Sequence, residues 1–334
     1  MTATSVFCPI CASHTEPVLP LSGWGEIRKC KRCGLFFANP MVLPASPEEL
    51  FSNAYRGEGQ LADFSNFAKK LHYRAALLRV RRYLLPPTSA KTINWLRRNL
   101  TPGATVMEIG CGPGYFMHTL RRNGFNSIGI EPGEVPASLL KQEGFQVWHG
   151  TLDNYPTSWP VPSAVTCFFM LHHLPDPRGF FATLRRRFPR AALILSESHN
   201  NTLLFATKRD LPGSLPPRYF TWWTGNSLEQ ALIRAGFDAT VLEIPYTLSG
   251  LASSLATTLL GQIANLSSFT EWLIRGKPAT DREWASSVSG YPTTFWQRLH
   301  RFTGIPLNLW AVALPTVSAY PPAGETSAAG SKSG

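Results

Sequence analysis

The feature that most constrains the fold is a glycine turn between an apolar run and an amphipathic stretch. Residues 104–109 are mostly apolar, and glycine then stands at Gly110, Gly112 and Gly114. A helix is predicted from 115 to 123. Alternating glycines let the backbone turn tightly and bring its N–H groups close to a ligand at the N-terminus of the following helix. The pattern predicts a strand, a turn and a helix that bind a nucleotide-like molecule.

The alternation of apolar runs and helical stretches continues along the chain. Further short apolar runs occur at 127–130, 145–148, 164–169 and 191–196. A helix over 225–235 precedes two more strand-like runs at 238–244 and 306–314. Buried strands that alternate with helices form βαβ units and a parallel sheet, so the sequence predicts an α/β fold. Residues 246–303 are predicted to form a helical insertion or lid.

Composition and charge exclude some classes of protein and leave others open. The 334 residues are 44% hydrophobic and 16% charged, which excludes a disordered or collagen-like chain. The formal net charge of +11 permits an anionic partner without identifying one. No Asp or Glu lies between Phe64 and Met107, a segment that contains nine Lys and Arg residues.

Four of the six cysteines form a metal-ligand pattern. Cys8 and Cys11 are separated by two residues, as are Cys30 and Cys33, with eighteen residues between the pairs. This spacing is typical of a tetrahedral four-thiolate Zn²⁺ site, which is closed to substrate and therefore structural. The first residues lack a basic and apolar leader pattern, so we expect reduced thiols and a cytoplasmic protein.

Two carboxylates beside the glycine turn narrow the choice of ligand. Glu131 stands 21 residues after Gly110, at the end of the next strand, where a carboxylate can accept bonds from both ribose hydroxyls. Glu108 directly precedes the glycines. It would repel a pyrophosphate but attract a ligand that carries an ammonium and a sulfonium. The pair favours S-adenosylmethionine over NAD.

With these residues, the chain resembles the class I S-adenosylmethionine-dependent methyltransferases that carry an N-terminal zinc ribbon, a type found in sugar, cell-surface and natural-product biosynthesis. The segments that carry the resemblance are 30–40, 106–116, 150–153, 169–177, 218–221 and 228–237. It implies a Rossmann-like, seven-stranded sheet that is mostly parallel with an antiparallel last strand. The implied organisation is a zinc ribbon at 1–45, helices at 46–100, a methyltransferase domain at 101–320 and a flexible tail at 321–334.

The resemblance also implies a set of cofactor-binding residues. The glycines approach the methionine part, Glu108 holds its amino group, Glu131 holds the ribose, and Leu152 with Asp153 flanks the adenine. The full implied set is Glu108, Gly110, Cys111, Gly112, Gly114, Glu131, Pro132, Leu152, Asp153 and Met170. The product would be S-adenosylhomocysteine. The sequence departs from the family at Thr151, where related enzymes often have Asp, and at Ser163-Ala164, where they often have Phe-Asp.

Two adjacent histidines are candidates for a general base. His173 matches the recurrent histidine after the fourth strand and is the first choice, with His172 second, because an imidazole titrates near neutral pH. The alternative is that His173 only bonds a backbone carbonyl or lines the cofactor pocket. We expect a small acceptor, more often methylated at oxygen or carbon than at nitrogen, such as a sugar or nucleotide-linked sugar.

RNA is the main alternative substrate. Lys70, Arg74 and Arg81 are predicted to share one helix face, and a second basic group lies on the ribbon at Arg28, Lys29, Lys31 and Arg32. The same charges could attract a phosphorylated small acceptor. The sequence after the fourth strand lacks the Asp-Pro-Pro-Tyr type of motif used on base nitrogens. A third alternative is a non-catalytic adenosyl-binding scaffold.

One further segment bears on membrane contact. Residues 244–270 contain no charged side chain, but they include many Ser, Thr and Gly residues. We therefore expect no transmembrane helix, although residues 244–275 could contact a membrane surface.

Overall fold

The computed structural model describes residues 6–21, 23–56, 74–83, 85–199, 215–244 and 308–316. The predicted insertion over 246–303 and the predicted tail over 321–334 lie outside the described residues. The same holds for residues 57–73 of the predicted helical linker and for nearly all of the segment proposed to contact a membrane. None of the helices in the described segments is long and apolar enough to cross a membrane.

A seven-stranded sheet forms the centre of the molecule. Numbered along the chain, its strands are β4 (Thr105–Ile109), β5 (Asn126–Glu131), β6 (Gln146–His149), β7 (Ala164–Phe168), β8 (Ala192–Ser198), β10 (Phe237–Ile244) and β11 (Asn308–Pro315). Their order across the sheet is β10-β11-β8-β7-β4-β5-β6. Strand β11 runs antiparallel to both neighbours, and the remaining pairs are parallel. The prediction of a mostly parallel, seven-stranded α/β sheet with an antiparallel last strand is confirmed.

Seven helices accompany the strands in the described segments. They are α1 (Pro47–Arg56), α2 (Arg74–Tyr83), α3 (Pro87–Asn99), α4 (Tyr115–Arg122), α5 (Glu134–Gln142), α6 (Pro177–Arg187) and α7 (Gly225–Arg234). Local sequence fixes several helix starts. The Asp176 carboxylate accepts a bond from the Gly179 N–H at the start of α6, and Thr224 and Ser227 form a reciprocal capping box on α7.

The sheet is buried on both faces because successive residues of a strand point to opposite sides. In β4, Met107 and Ile109 pack into one hydrophobic cluster with residues of α6 and α7. Val106 points to the other side and packs with residues of α3 and α4. Burial of a large aliphatic side chain contributes about 1.5–3 kcal/mol, so these two layers hold the carboxyl ends of the strands in place.

A second, smaller sheet lies beside the four cysteines, of which Cys8 and Cys11 precede its first strand, Cys30 ends its second strand and Cys33 lies in the turn that follows. Its strands are β1 (Thr15–Leu21), β2 (Gly25–Cys30), β3 (Phe36–Asn39) and β9 (Thr221–Trp222), all antiparallel and in the order β1-β2-β3-β9. Strand β9 comes from the region that follows β8, far along the chain. The sequence reasoning restricted this ribbon to residues 1–45 and did not include β9. The ribbon is therefore continuous with the larger domain.

Candidate active site

A cavity of about 590 Å³ opens at the carboxyl ends of β4, β5 and β7. Nine of the ten residues expected to bind a cofactor line it: Glu108, Gly110, Cys111, Gly112, Glu131, Pro132, Leu152, Asp153 and Met170. Gly114 does not. Its φ is 77°, and a Cβ there would lie 2.3 Å from Leu140 Cδ2, so Gly114 is required for the close approach of α4 and α5.

The glycine turn is compact because all three of its glycines, including Gly114, have a positive φ. Gly110 has φ 69° and Gly112 has φ 49°, and residues other than glycine rarely adopt such backbone angles. A Cβ on Gly112 would also lie 2.9 Å from the Tyr55 hydroxyl, which reaches the turn from α1. The bare backbone therefore forms one wall of the cavity.

Glu131 is held in place by the two turns that flank it. Its Oε2 accepts a hydrogen bond from the Gly112 N–H at 2.6 Å, and its Oε1 accepts one from the Gly133 N–H at 2.8 Å. The side chain is 3% exposed. Because this fixed carboxylate also lines the cavity, a diol placed there would meet a preoriented acceptor.

A second carboxylate lies deeper in the cavity. Glu108 is buried, and its Oε2 has no hydrogen-bond partner among the residues that the structure describes. Burial raises the pKa of Glu108 to about 8, which the positive charge of Arg81 partly opposes. The Arg81 guanidinium lies 4.6 Å from the centre of the Tyr115 ring. The pair presents one acidic and one basic group, which suits the ammonium and carboxylate of an amino-acid moiety.

Two of the four arginines of helix α2, Arg74 and Arg81, point inward. The Arg74 Nε donates to the Pro113 carbonyl at 2.6 Å, and its two terminal nitrogens donate to the two oxygens of Glu143 at 2.5 Å. Arg74 is buried and Arg81 lines the cavity. The sequence reasoning proposed that these two arginines share a helix face that contacts phosphates. In the structure, Arg74 instead bonds Pro113 and Glu143, and Arg81 faces the cavity. Lys70 lies outside the described residues.

The two histidines occupy a 3-10 helix, Leu171–His173, directly after β7. His173 lines the cavity, and its Nδ1 lies 2.5 Å from the Arg218 carbonyl oxygen. A carbonyl can only accept, so Nδ1 carries the proton and Nε2 is the basic nitrogen. Burial, followed by the charge of His172, lowers the pKa of His173 well below 6.5. The ring is therefore neutral at pH 7.

His172 points away from the cavity. Its Nδ1 lies 2.6 Å from Glu197 Oε1, and its ring stacks on the Tyr219 ring at 3.9 Å between centres. These residues line a separate cavity of about 100 Å³. Burial raises the pKa of Glu197 to about 7. The structure thus brings His173, and not His172, to the candidate cofactor residues.

The four cysteine sulfurs lie together as the sequence predicts. All four side chains are buried, and their Sγ atoms lie within 4.8 Å of one another. The Sγ atoms of Cys8 and Cys33 are 3.7 Å apart, and those of Cys11 and Cys30 are 3.4 Å apart. Zn–S bonds of about 2.3 Å in a tetrahedron require sulfurs roughly 3.8 Å apart, so the cluster fits that ion. None of these four clustered cysteines lines the large cavity.

The sequence reasoning did not place the residues of the N-terminal helices α1 and α2 in the cavity wall. Phe51 and Tyr55 come from α1, and Arg81 comes from α2. The Phe51 ring makes an edge contact with His173 at 5.5 Å between centres. The sequence reasoning placed Arg81 on a basic helix face and did not connect it with the cofactor site. The apolar periodicity of α1 was a usable signal, but nothing local indicated which side of the sheet it covers.

The seven-stranded sheet, the glycine turn and the two carboxylates beside it define a class I S-adenosylmethionine-dependent methyltransferase domain. A profile of the family described as "Methyltransferase domain" matches residues 69–242, just over half of the chain. The chain belongs to this family.

Curated relatives match over part of the chain. The ubiquinone biosynthesis O-methyltransferase of Hahella chejuensis is 32% identical over 119 residues, 33% of this chain and 50% of that protein. The protein of the same name from Pseudomonas fluorescens is 29% identical over 125 residues, 30% of this chain and 53% of that protein. The chain therefore spans about half the length of these relatives. Among solved structures, Haemonchus contortus phosphoethanolamine N-methyltransferase 2 matches with a TM-score of 0.48 and 15% identity, over 81% of this chain and 60% of that chain.

Proposed function

We propose that the protein transfers a methyl group from S-adenosylmethionine to an oxygen, or to an acidic carbon, of a small biosynthetic intermediate. The observation that carries the proposal is that the glycine turn, Glu108 and Glu131 share one cavity with His173. The relatives named above are O-methyltransferases by name, which favours oxygen. We place the reaction in the cytoplasm, where thiols such as those of the cysteine cluster remain reduced.

Different residues of the cavity are proposed to bind different parts of S-adenosylmethionine. Glu131 is proposed to accept bonds from the ribose hydroxyls. Glu108 is proposed to bind the ammonium of the methionine part, because its buried Oε2 bonds no other residue in the described part of the chain. Arg81 faces the methionine carboxylate in this assignment. Leu152 and Asp153 flank the adenine, with Leu152 buried and Asp153 exposed. When bound, S-adenosylmethionine supplies a methyl group that is already activated.

The protein then has to align the acceptor and remove its proton. His173 is the proposed general base, because Nδ1 is committed to the Arg218 carbonyl and Nε2 keeps the lone pair. The Phe51 ring beside it contributes to an apolar wall that excludes water. The four cysteines are proposed to hold one structural Zn²⁺, which takes no part in the transfer.

RNA remains the second candidate, on the weaker ground of net charge. Arg79 and Arg82 on α2 are exposed, and so is Arg32 on the ribbon. The inward placement of Arg74 and Arg81 removes half of the charge that the RNA alternative needs on that helix. We therefore favour a small acceptor, which the remaining positive charge could attract if it is phosphorylated. A non-catalytic scaffold is the third candidate, and nothing in the cavity favours it.

The deciding experiment is methyl transfer from labelled S-adenosylmethionine into a host extract, which is then separated into small-molecule, RNA and protein fractions. We expect label in the small-molecule fraction with the wild type, and none with Glu131→Ala. Asp238→Asn, which alters an exposed carboxylate on β10, is the matched control and should label like the wild type. Ribonuclease-sensitive label would establish the RNA alternative instead.

A further inference from the structure

The cysteine ribbon is joined directly to the segment that holds His173. Residues 218–226 run between the two, with His172 and His173 on one side and the ribbon on the other. On the histidine side, the His173 Nδ1 donates to the Arg218 carbonyl at 2.5 Å, and the Phe220 N–H donates to the His172 carbonyl at 2.7 Å. The Thr221 hydroxyl donates to the Leu171 carbonyl at 3.2 Å.

The ribbon side holds the same segment by its backbone. The Ala38 N–H donates to the Phe220 carbonyl at 2.8 Å, and β3 pairs with β9 through Phe36–Trp222 and Phe37–Thr221. The carbonyl oxygen of Cys33, one of the four clustered cysteines, accepts bonds from Thr224 Oγ1 and Asn226 Nδ2, both at 3.1 Å. One residue, Phe220, therefore links a ribbon strand to the backbone of His172.

The segment that connects the ribbon to the two histidines is rigid because its central residues are buried. Phe220, Thr221 and Trp223 are fully buried. Trp223 belongs to the same hydrophobic cluster as the four cysteines and Leu171, which begins the 3-10 helix of the histidines. Because these buried residues are closely packed, a displacement of the turn at Cys33 would also displace the neighbouring backbone.

We propose that the cysteine ribbon is a positioning element of the active site, in which the Cys33 turn, through Thr224, Asn226 and β9, fixes the Arg218 carbonyl that selects the proton position on His173. The role is distinct from stabilising a separate N-terminal module. It rests on the proposed function only in so far as His173 acts on an acceptor. The tautomer of His173 is a property of the protein alone and can be measured without any substrate.

The test uses the full chain with its cysteines intact. In Thr224→Val/Asn226→Ala the Cys33 carbonyl loses both side-chain donors. Thr224→Ser keeps the hydroxyl and the cap on α7, and serves as the conservative variant. Thr15→Val is the matched control, because it removes a hydroxyl on β1, at the opposite edge of the ribbon sheet, that donates to the Val6 carbonyl and accepts a bond from Arg28 Nε. Bound zinc is measured in each protein to establish that the metal is retained.

The primary readout is the nitrogen NMR spectrum of labelled histidine at a pH well above 6.5, with His173 assigned from His173→Gln. We expect Nδ1–H in the wild type, Thr224→Ser and Thr15→Val, and a mixture of the two tautomers in the double variant, because an imidazole that is not held by the carbonyl populates both. The double variant should lose about tenfold in kcat and less than threefold in affinity for S-adenosylhomocysteine, as expected for a small misplacement.

Two results would overturn the proposal. One is an Nδ1–H tautomer in the double variant that is as fixed as in the wild type. The other is an equal loss of that tautomer in Thr15→Val, which would indicate a general loosening of the ribbon. If no acceptor is methylated by the wild type, the proposed function fails, while the NMR and binding results still decide the positioning role.

Discussion

The two halves of the cavity are built from very different stretches of chain. The half formed by the glycine turn, Glu108 and Glu131 comes from neighbouring elements, and Gly112 and Glu131, which bond each other, are 19 residues apart. The half that contains His173 depends on Arg218, 45 residues away, and on β9, which pairs with the N-terminal strand β3. A local motif can therefore specify the cofactor half, whereas the histidine half exists only once distant segments have packed.

The largest effect is expected at His173, where a substitution should lower turnover without weakening cofactor binding. His173→Ala should lower kcat by roughly 10²–10⁴-fold, the usual contribution of a general base, while affinity for S-adenosylhomocysteine changes less than threefold. Steady-state kinetics and calorimetry on the same sample give both values. His172→Ala is the variant to compare with it, because the His172 ring does not line the cavity. Normal turnover in His173→Ala would exclude it as the base.

At Glu131, in the cofactor half, a substitution is expected to weaken cofactor binding itself. Glu131→Ala removes the proposed ribose acceptor and also leaves the buried Gly112 and Gly133 N–H groups without theirs. Charge-assisted hydrogen bonds contribute about 1.5–3 kcal/mol each, so affinity for S-adenosylmethionine should fall by about 100-fold or more. Equilibrium dialysis with labelled cofactor measures the change. Affinity within threefold of the wild type would mean that the diol site lies elsewhere.

A smaller effect with a defined pH dependence is expected at Glu108. Its pKa of about 8 means that the carboxyl of the unliganded protein is mainly protonated below pH 8. A bound ammonium favours the ionised form, so binding should release a proton, and affinity should rise with pH up to about 8 and then level off. Glu108→Gln should weaken binding about tenfold at pH 8 and flatten this profile. An unchanged pH profile in the variant would contradict the assignment.

The pH dependence of turnover offers a related check on the histidine half. Because the pKa of His173 lies well below 6.5, the base is already deprotonated at neutral pH. Turnover should therefore stay level as pH falls from 7 to 6.5, and decline only as pH approaches the lowered pKa. Measuring kcat at saturating cofactor separates the pH dependence caused by His173 from that caused by Glu108, because Glu108 is expected to affect cofactor affinity. A decline centred above 6.5 would assign that pH dependence to another group.

The smallest expected effect concerns the support behind the glycine turn. Glu143→Gln weakens the ion pair of Arg74, which holds the Pro113 carbonyl. The free energy of unfolding should fall by roughly 1–2 kcal/mol, since the arginine is buried but the carboxylate is partly exposed. Chemical denaturation measures it. The tautomer of His173 should not change, and a change there would show that the two halves are not independently supported.

The same contrast explains what the sequence could predict. Short apolar runs that alternate with helical stretches were sufficient for the strands of the large sheet and for its class. The family resemblance based on the glycine turn and its neighbours named ten cofactor-binding residues, of which nine line the cavity. The cysteine spacing was sufficient for the cluster. His173 was preferred to His172 only through the family resemblance, because the sequence itself does not show that the 3-10 helix after β7 turns the two side chains to opposite sides. Nothing in the sequence indicated that Arg74 and Arg81 point inward, because net charge carries no information about which side of a helix packs.

Strand β9 illustrates the same limit. Two residues, Thr221 and Trp222, are too short to give a periodic signal, and their partner lies near the N-terminus. Gly114 was grouped with the ligand-approaching glycines because the motif spacing is regular. Its neighbour is Leu140 of α5, and only packing shows that its role is helix contact.

The central claim is that the cofactor half binds S-adenosylmethionine or its product. Titration calorimetry of the full chain with S-adenosylhomocysteine, and separately with NAD⁺, tests it most directly. The account predicts one S-adenosylhomocysteine per chain, retained in His173→Ala and Asp238→Asn and lost in Glu131→Ala, with no heat from NAD⁺. Binding of NAD⁺ in its place, or S-adenosylhomocysteine binding that survives Glu131→Ala unchanged, would contradict it.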